Sequence, residues 1–356
     1  MTCWPRTKPA SVQTIHNLEI MNELHLVTNG LESEAFPILA GKTSTTKAVA
    51  ALPELSSLRP RTILAPFDFS YVSSELLRRL ITLAEHSNAT VHVLHVIEPS
   101  RGMVATEGTR IYPGARAVAA RSQIQQWVAE TFPGRVTITT TVRVGRAADE
   151  ITAHAHDLCA DLIVMTAHSG SGKKNVRLRT TTERVVRQSP CPVLVVTRDQ
   201  VESFLNEPDG FPLRTWKRIL LPVDLSGEVH EALAYAAAIA RENGARLHLL
   251  HGASEDPGGE ESRSSAEARL AAWLDLELRW PVEYQAAIWN NVPLLNAILH
   301  EVRRSEIDLI VLPARDSAWF RRHRLGSITD GILRHAPCPV LSVNQRANAG
   351  SGGTGK

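Results

Sequence analysis

What this chain of 356 residues lacks narrows its role before any motif is considered. No apolar run is long enough to span a bilayer, and the first residues carry no long apolar core of a secretion signal. Only four cysteines are present, Cys3, Cys159, Cys191 and Cys338, and none forms a CxxC pair. Cys191 and Cys338 lie beside apolar runs, so they read as reduced core thiols of a cytoplasmic protein. Charge of one sign is also missing. Thirty-nine Lys and Arg against 37 Asp and Glu leave +2, which gives no strong pointer to a nucleic-acid or membrane partner. There is no G-x-S-x-G, because Gly170-Ser171-Gly172 lacks the spacing of a nucleophile elbow. Nor does any catalytic triad or carboxylate pair stand out, so no enzymatic activity is expected. His92 and His95 are three apart on an expected strand and therefore face opposite ways. His154 and His156 diverge on an expected helix, which argues against a shared metal.

What is present is ordinary globular material, 43% hydrophobic and 21% charged. Residues 161–196, DLIVMTAHSGSGKKNVRLRTTTERVVRQSPCPVLVV, read as strand, glycine-serine loop, helix and strand. The run 162–165 is a buried strand. A helix is expected from Thr180, with Glu183 at capping-box spacing. Pro190 and Pro192 end it before a second buried strand at 193–196. A basic loop feeding a helix N-terminus is a natural anion site. Residues 308–343, DLIVLPARDSAWFRRHRLGSITDGILRHAPCPVLSV, repeat the pattern at an offset of 147, from Asp161 to Asp308 and from Cys191 to Cys338. One fold is written twice.

Each copy opens with a strand and an aspartate, TILAPFDFS with Pro66 and Asp68, then RILLPVDLS with Asp224. Helices of amphipathic period alternate with short apolar strands in the order βαβαβαβαβ. The fold class is therefore α/β: two open-sandwich domains, each a five-stranded parallel sheet with helices on both faces. The expected division is a poorly ordered tail over 1–58, domains over 59–199 and 214–346, a linker over 200–213 rich in turn residues, and a disordered tail over 347–356. Met21 is an alternative start.

The motifs LAPFDFS and LLPVDLS, DLIVM and DLIVL, PCPVLVV and PCPVLSV identify a likeness. The chain resembles a tandem universal stress protein over about residues 60–197 and 216–344. The resemblance implies a Rossmann-like, adenine nucleotide alpha hydrolase-like fold and pairing of the domains through their last strands, a pseudo-dimer within one chain, with a homodimer allowed. Some members bind ATP. They carry Gly, two residues, Gly, nine residues, Gly and then Ser or Thr, and the aspartate after the first strand meets the nucleoside.

Both copies depart from that pattern. In the first the glycine positions fall on Thr166, Ser169 and Arg179, followed by Thr180 and Thr181, with His168 retained and Gly172 nearby. In the second they fall on Pro313, Asp316 and Gly326, followed by Ser327. Pro313 removes a backbone donor, and Asp316 repels phosphate. Arg179 either fills the site or clamps a phosphate. Asp68 and Asp224 either hold a ribose or cap the next helix. Lys173, Lys174 and Arg177 are either a phosphate clamp or a solvated loop. Arg321, Arg322, His323 and Arg324 are too short a run to make a nucleic-acid patch. The expectation is a non-enzymatic stress-response binding protein with degenerate nucleotide loops. The alternative is an ATP sensor, with Mg²⁺ beside the polyphosphate, whose residual site lies in the first domain.

Overall fold

A computed structural model describes residues 38–42, 60–99, 113–134, 136–167, 181–203, 216–223, 225, 230–252, 263–278, 281–289, 293–313 and 327–344. The first domain contains β2 (Thr62–Pro66), α1 (Tyr71–Ser87), β3 (Thr90–Ile97), α2 (Pro113–Thr131), β4 (Ile138–Val144), α3 (Ala147–Asp157), β5 (Leu162–Ala167), α4 (Thr181–Gln188) and β6 (Val193–Thr197). A short α5 (Arg198–Ser203) follows it. The second domain repeats the order as β7 (Arg218–Val223), α6 (His230–Asn243), β8 (Arg246–Gly252), α7 (Arg263–Glu277), β9 (Glu283–Trp289), α8 (Leu294–Arg304), β10 (Leu309–Pro313), α9 (Ser327–His335) and β11 (Val340–Val343).

Within each domain the five strands are parallel and doubly wound, β4-β3-β2-β5-β6 and β9-β8-β7-β10-β11. Both faces are covered, so their strands are continuously apolar: β6 and β10 are almost wholly buried. The two sheets join as the resemblance implied. The last strands β6 and β11 pair antiparallel, with Leu341 opposite Leu194 and Val340 opposite Val195. On the α1 and α6 face a single apolar cluster runs through both domains, from Ile63, Leu80 and Val196 to Leu233, Val311 and Val343. Two buried amides stitch the seam. Gln200 Nε2 donates to the Ala336 carbonyl at 2.9 Å, and Asn344 Nδ2 donates to the Ser189 carbonyl at 2.5 Å.

The repeated aspartate of DLIV has a framework role. Asp161 accepts from the Arg61 and Thr62 N–H groups, and Asp308 accepts from those of Lys217 and Arg218. Each therefore pins the start of its domain's first strand to the start of the fourth. Burial pushes the Asp308 carboxyl up, against these hydrogen bonds and the charge of Arg218. Cys191 and Cys338 are buried beside β6 and β11 and form no disulfide, whereas Cys159 is exposed. Burial first, then nearby Asp308, pushes the Cys338 thiol far up.

Two boundaries need correction. The tail expected over 1–58 is not wholly unpacked, because Ile38–Lys42 form β1, antiparallel to β9 with Ile38 opposite Ala287 and Lys42 opposite Glu283. Five residues joined through backbone bonds leave no side-chain period to detect, and β1 covers an edge that would otherwise be open. The rest of that tail, and 347–356, lie outside the described residues. The linker also begins later than expected, since α5 is a packed helix over Arg198–Ser203. Thr197 and Gln200 form its capping box, with Thr197 N donating to Gln200 Oε1 at 3.0 Å and Gln200 N to Thr197 Oγ1 at 3.4 Å. Val201 is fully buried beneath it.

Candidate functional site

In a doubly wound sheet the crevice opens where strand order reverses, beyond the carboxyl ends of the strands. In the first domain that point lies between β2 and β5. A cleft of about 400 Å³ opens there, lined by Pro66, Phe67 and Asp68 after β2, by Leu94, His95 and Glu98 on and after β3, and by Met165 and Thr166 of β5. Ala147 and Ile151 of α3 and Thr181 and Thr182 of α4 close its far side.

The turn after β2 sets the rim. Phe69 adopts φ 62°, and Leu225, its counterpart in the second domain, adopts φ 55°. Asp68 turns back to accept from the Ser70 N–H at 3.0 Å and the Ser73 hydroxyl at 2.7 Å. Ser70 in turn caps α1 by accepting from Ser73 N at 3.1 Å. Asp68 is thus part of a helix-capping network and also an exposed wall of the cleft.

His95 holds the floor. Its Nδ1 lies 2.8 Å from the Phe67 carbonyl, which can only accept, so that nitrogen carries the proton. His251 repeats the bond to Val223 O at 2.9 Å in the second domain. The recurring histidine therefore fixes the turn after the first strand. Phe69 packs edge-on against His95, and Phe67 stacks on Trp127 of α2.

Glu98 was not foreseen. Its Oε1 accepts from the Ala147 N–H at 2.8 Å, which satisfies the first turn of α3 with a carboxylate at the positive end of that helix. Its position just past β3, level with Asp68 past β2, was the available signal. Thr182 closes the site from behind, donating to Thr166 O at 3.2 Å. Among the described lining residues there are two carboxylates and no lysine or arginine. The basic loop singled out by sequence, with His168, Ser169, Gly172, Arg179 and Thr180, lies outside the described residues. The structure therefore brings together Pro66, Asp68, Thr166 and Thr181 of the candidate set.

A sequence model of the universal stress protein family matches residues 60–197 and 215–344, the spans of the two folded repeats. The chain belongs to the universal stress protein family. It is a stress-response protein with two family domains in tandem. Over 142 residues, 39% of this chain and 84% of the relative, it is 29% identical to a universal stress protein of Methanocaldococcus jannaschii. Over 140 residues, 36% of this chain and 98% of the relative, it is 33% identical to one from Thermus aquaticus. A universal stress protein from Archaeoglobus fulgidus superposes with a TM-score of 0.61 at 21% identity, covering 82% of this chain and 98% of that one, which establishes the shared fold. No helix among the described residues is long and apolar enough to cross a membrane.

The two universal stress domains differ at their switch points. In the second, Pro313 ends β10 fully buried and pairs with Val343. Its counterpart Thr166 sits opposite Val196. Asp224 and Gly326 lie outside the described residues, and Ser327 opens α9. Behind the switch point a second pair has diverged. In the first domain His154 of α3 lies near His92 of β3. At the matching place in the second domain, Glu301 Oε1 faces His248 Nδ1 at 3.7 Å and accepts from Ser305 Oγ at 2.5 Å.

Proposed function

We propose that this protein is a non-enzymatic, cytoplasmic stress-response regulator that binds an adenine nucleotide in the first-domain cleft and has lost the second site. The cleft at the β2/β5 switch point carries this reading. Its walls, Pro66, Phe67, Leu94 and Met165, offer apolar surface to a purine, and Asp68 lies where a ribose hydroxyl donates. The phosphate end rests on the start of α4, where unpaired backbone N–H groups and the Thr181 hydroxyl face the cleft. Countercharge for the phosphates comes from the 168–180 loop, with Mg²⁺ offsetting the charge of ATP. In the second domain, Pro313 lacks the donor that its counterpart retains, and Asp316 adds a repelling charge.

Binding rather than turnover fits the polar groups present. The Ser73 hydroxyl is committed to Asp68, and the His95 Nδ1 proton to a carbonyl. Calorimetric titration with ATP and Mg²⁺ tests the reading on wild type, Asp68→Ala, Asp224→Ala and Arg179→Gly. Binding should weaken with Asp68→Ala and persist with Asp224→Ala. If Arg179 fills the site, Arg179→Gly strengthens binding. If it clamps phosphate, the change costs about 1.5–3 kcal/mol. Binding lost with Asp224→Ala but not with Asp68→Ala refutes the assignment.

A further inference from the structure

A second cavity, of about 120 Å³, lies at the opposite end of the strands, on the seam between the domains. Its floor is Leu194 of β6 and Leu341 of β11, which are direct register partners across the antiparallel junction. Leu83 of α1 and Ile239 of α6 face each other across it, 156 residues apart and therefore equivalent. The cavity thus straddles the pseudo-twofold axis and exists only because the domains are paired. Its volume is close to the roughly 150 Å³ of an engineered apolar cavity that takes up benzene.

The lining breaks the symmetry in one direction. Trp216, 5% exposed, stands where the first domain has Pro60, and Tyr235 stands where it has Arg79. The charged groups at its edge are Asp161 and Glu242, both acidic, and among the described residues no lysine or arginine lines it. An apolar, aromatic-walled space the size of one ring, with an acidic rim, selects a ring bearing a positive charge.

We propose that the seam cavity is a binding site for a single-ring aromatic amine, which bridges the two domains. The ring sits on Leu194 and Leu341 against Trp216, and the ammonium lies towards Glu242. Because such a ligand touches both domains of the native state, occupancy raises the stability of the paired form by mass action.

Benzylamine and phenethylamine, with benzoate as the isosteric anion, are the probes. Thermal shift and calorimetry on the full chain are the readouts. Saturable binding of the amines, a rise in melting temperature and no binding of benzoate are expected. Ile239→Trp, which fills the cavity, should abolish binding. Glu242→Gln, on the exposed rim, should weaken it roughly threefold, the effect of one solvent-facing ion pair. Asp68→Ala should leave it unchanged, which separates this site from the nucleotide cleft. If Ile239→Trp does not fold, Leu83→Phe narrows the same space from the other wall. Equal binding of amine and benzoate, no saturable binding at millimolar amine, or undiminished binding in the folded filling variant each overturns the proposal.

Discussion

Replacing His154 by leucine should flatten the acid limb of the stability profile. The ring is 7% exposed, and neither of its nitrogens has a hydrogen-bond partner among the described residues. Burial chiefly, then the positive fields of Arg143 and His92, hold its pKa below the ordinary value. Asp157 and Glu150 only partly offset them. Both acids also pair with Arg143, at 2.6 and 3.5 Å. His92, whose Nδ1 lies 2.6 Å from Thr139 Oγ1, is likewise lowered by burial. The folded state therefore keeps His154 neutral at a pH where the unfolded chain, titrating near 6.5, has already taken up a proton. The unfolded state binds more protons, so stability falls as pH drops below about 6.5 towards the folded value. The slope approaches 1.4 kcal/mol per pH unit for one histidine. Between pH 7.5 and 5.5 this is on the order of 1 kcal/mol, or roughly 2–4 °C in Tm for a unit of this size. Denaturant titrations of wild type and His154→Leu at both pH values measure it. His335, also lowered by burial, is common to both proteins and cancels in the difference. Equal acid slopes, or a steeper slope in the variant, would refute the reasoning.

Three further perturbations test the framework. Gln200→Ala removes the buried amide that bonds Thr197 N and the Ala336 carbonyl, and should cost about 1–3 kcal/mol in denaturant unfolding; an unchanged midpoint means the seam does not depend on it. Gly331→Ala places a Cβ 2.4 Å from Leu295 Cδ2 and should destabilise by about 1–3 kcal/mol, with rescue by Leu295→Ala; the first domain avoids this clash with Ala148 at the matching place, beside Arg184. Deleting residues 1–58 removes β1 and uncovers the β9 edge, so it should lower Tm and increase light scattering relative to deletion of 1–37. Identical behaviour of the two truncations would make β1 dispensable.

The repeat made most of the fold legible. Two copies of DLIV, PCPVL and the opening strand specify ten strands and their parallel order, because strands buried on both faces are apolar throughout. The antiparallel joint of β6 and β11 came from the resemblance, and the register of Leu194 opposite Leu341 realises it in backbone pairing. β1 was illegible because an edge strand held by backbone bonds needs no side-chain pattern. α5 was hidden by its brevity, although Thr197 and Gln200 already held capping-box spacing. At the site, Asp68 and Thr166 could be found from motif position. The place of Glu98 just past β3 was visible too, but not its role, which depends on the approach of α3 to the end of β3, a contact between residues 49 apart. The nearness of His92 to His154, and the pairing of His248 with Glu301, was masked because the members of each couple follow different repeat offsets, 156 and 147.

One nucleotide per chain is the central claim, and native mass spectrometry of the intact protein with ATP and Mg²⁺ counts it directly. A single bound nucleotide per chain, retained in Asp224→Ala and depleted in Asp68→Ala, is expected. Two nucleotides per chain, or one that persists in Asp68→Ala, would contradict it.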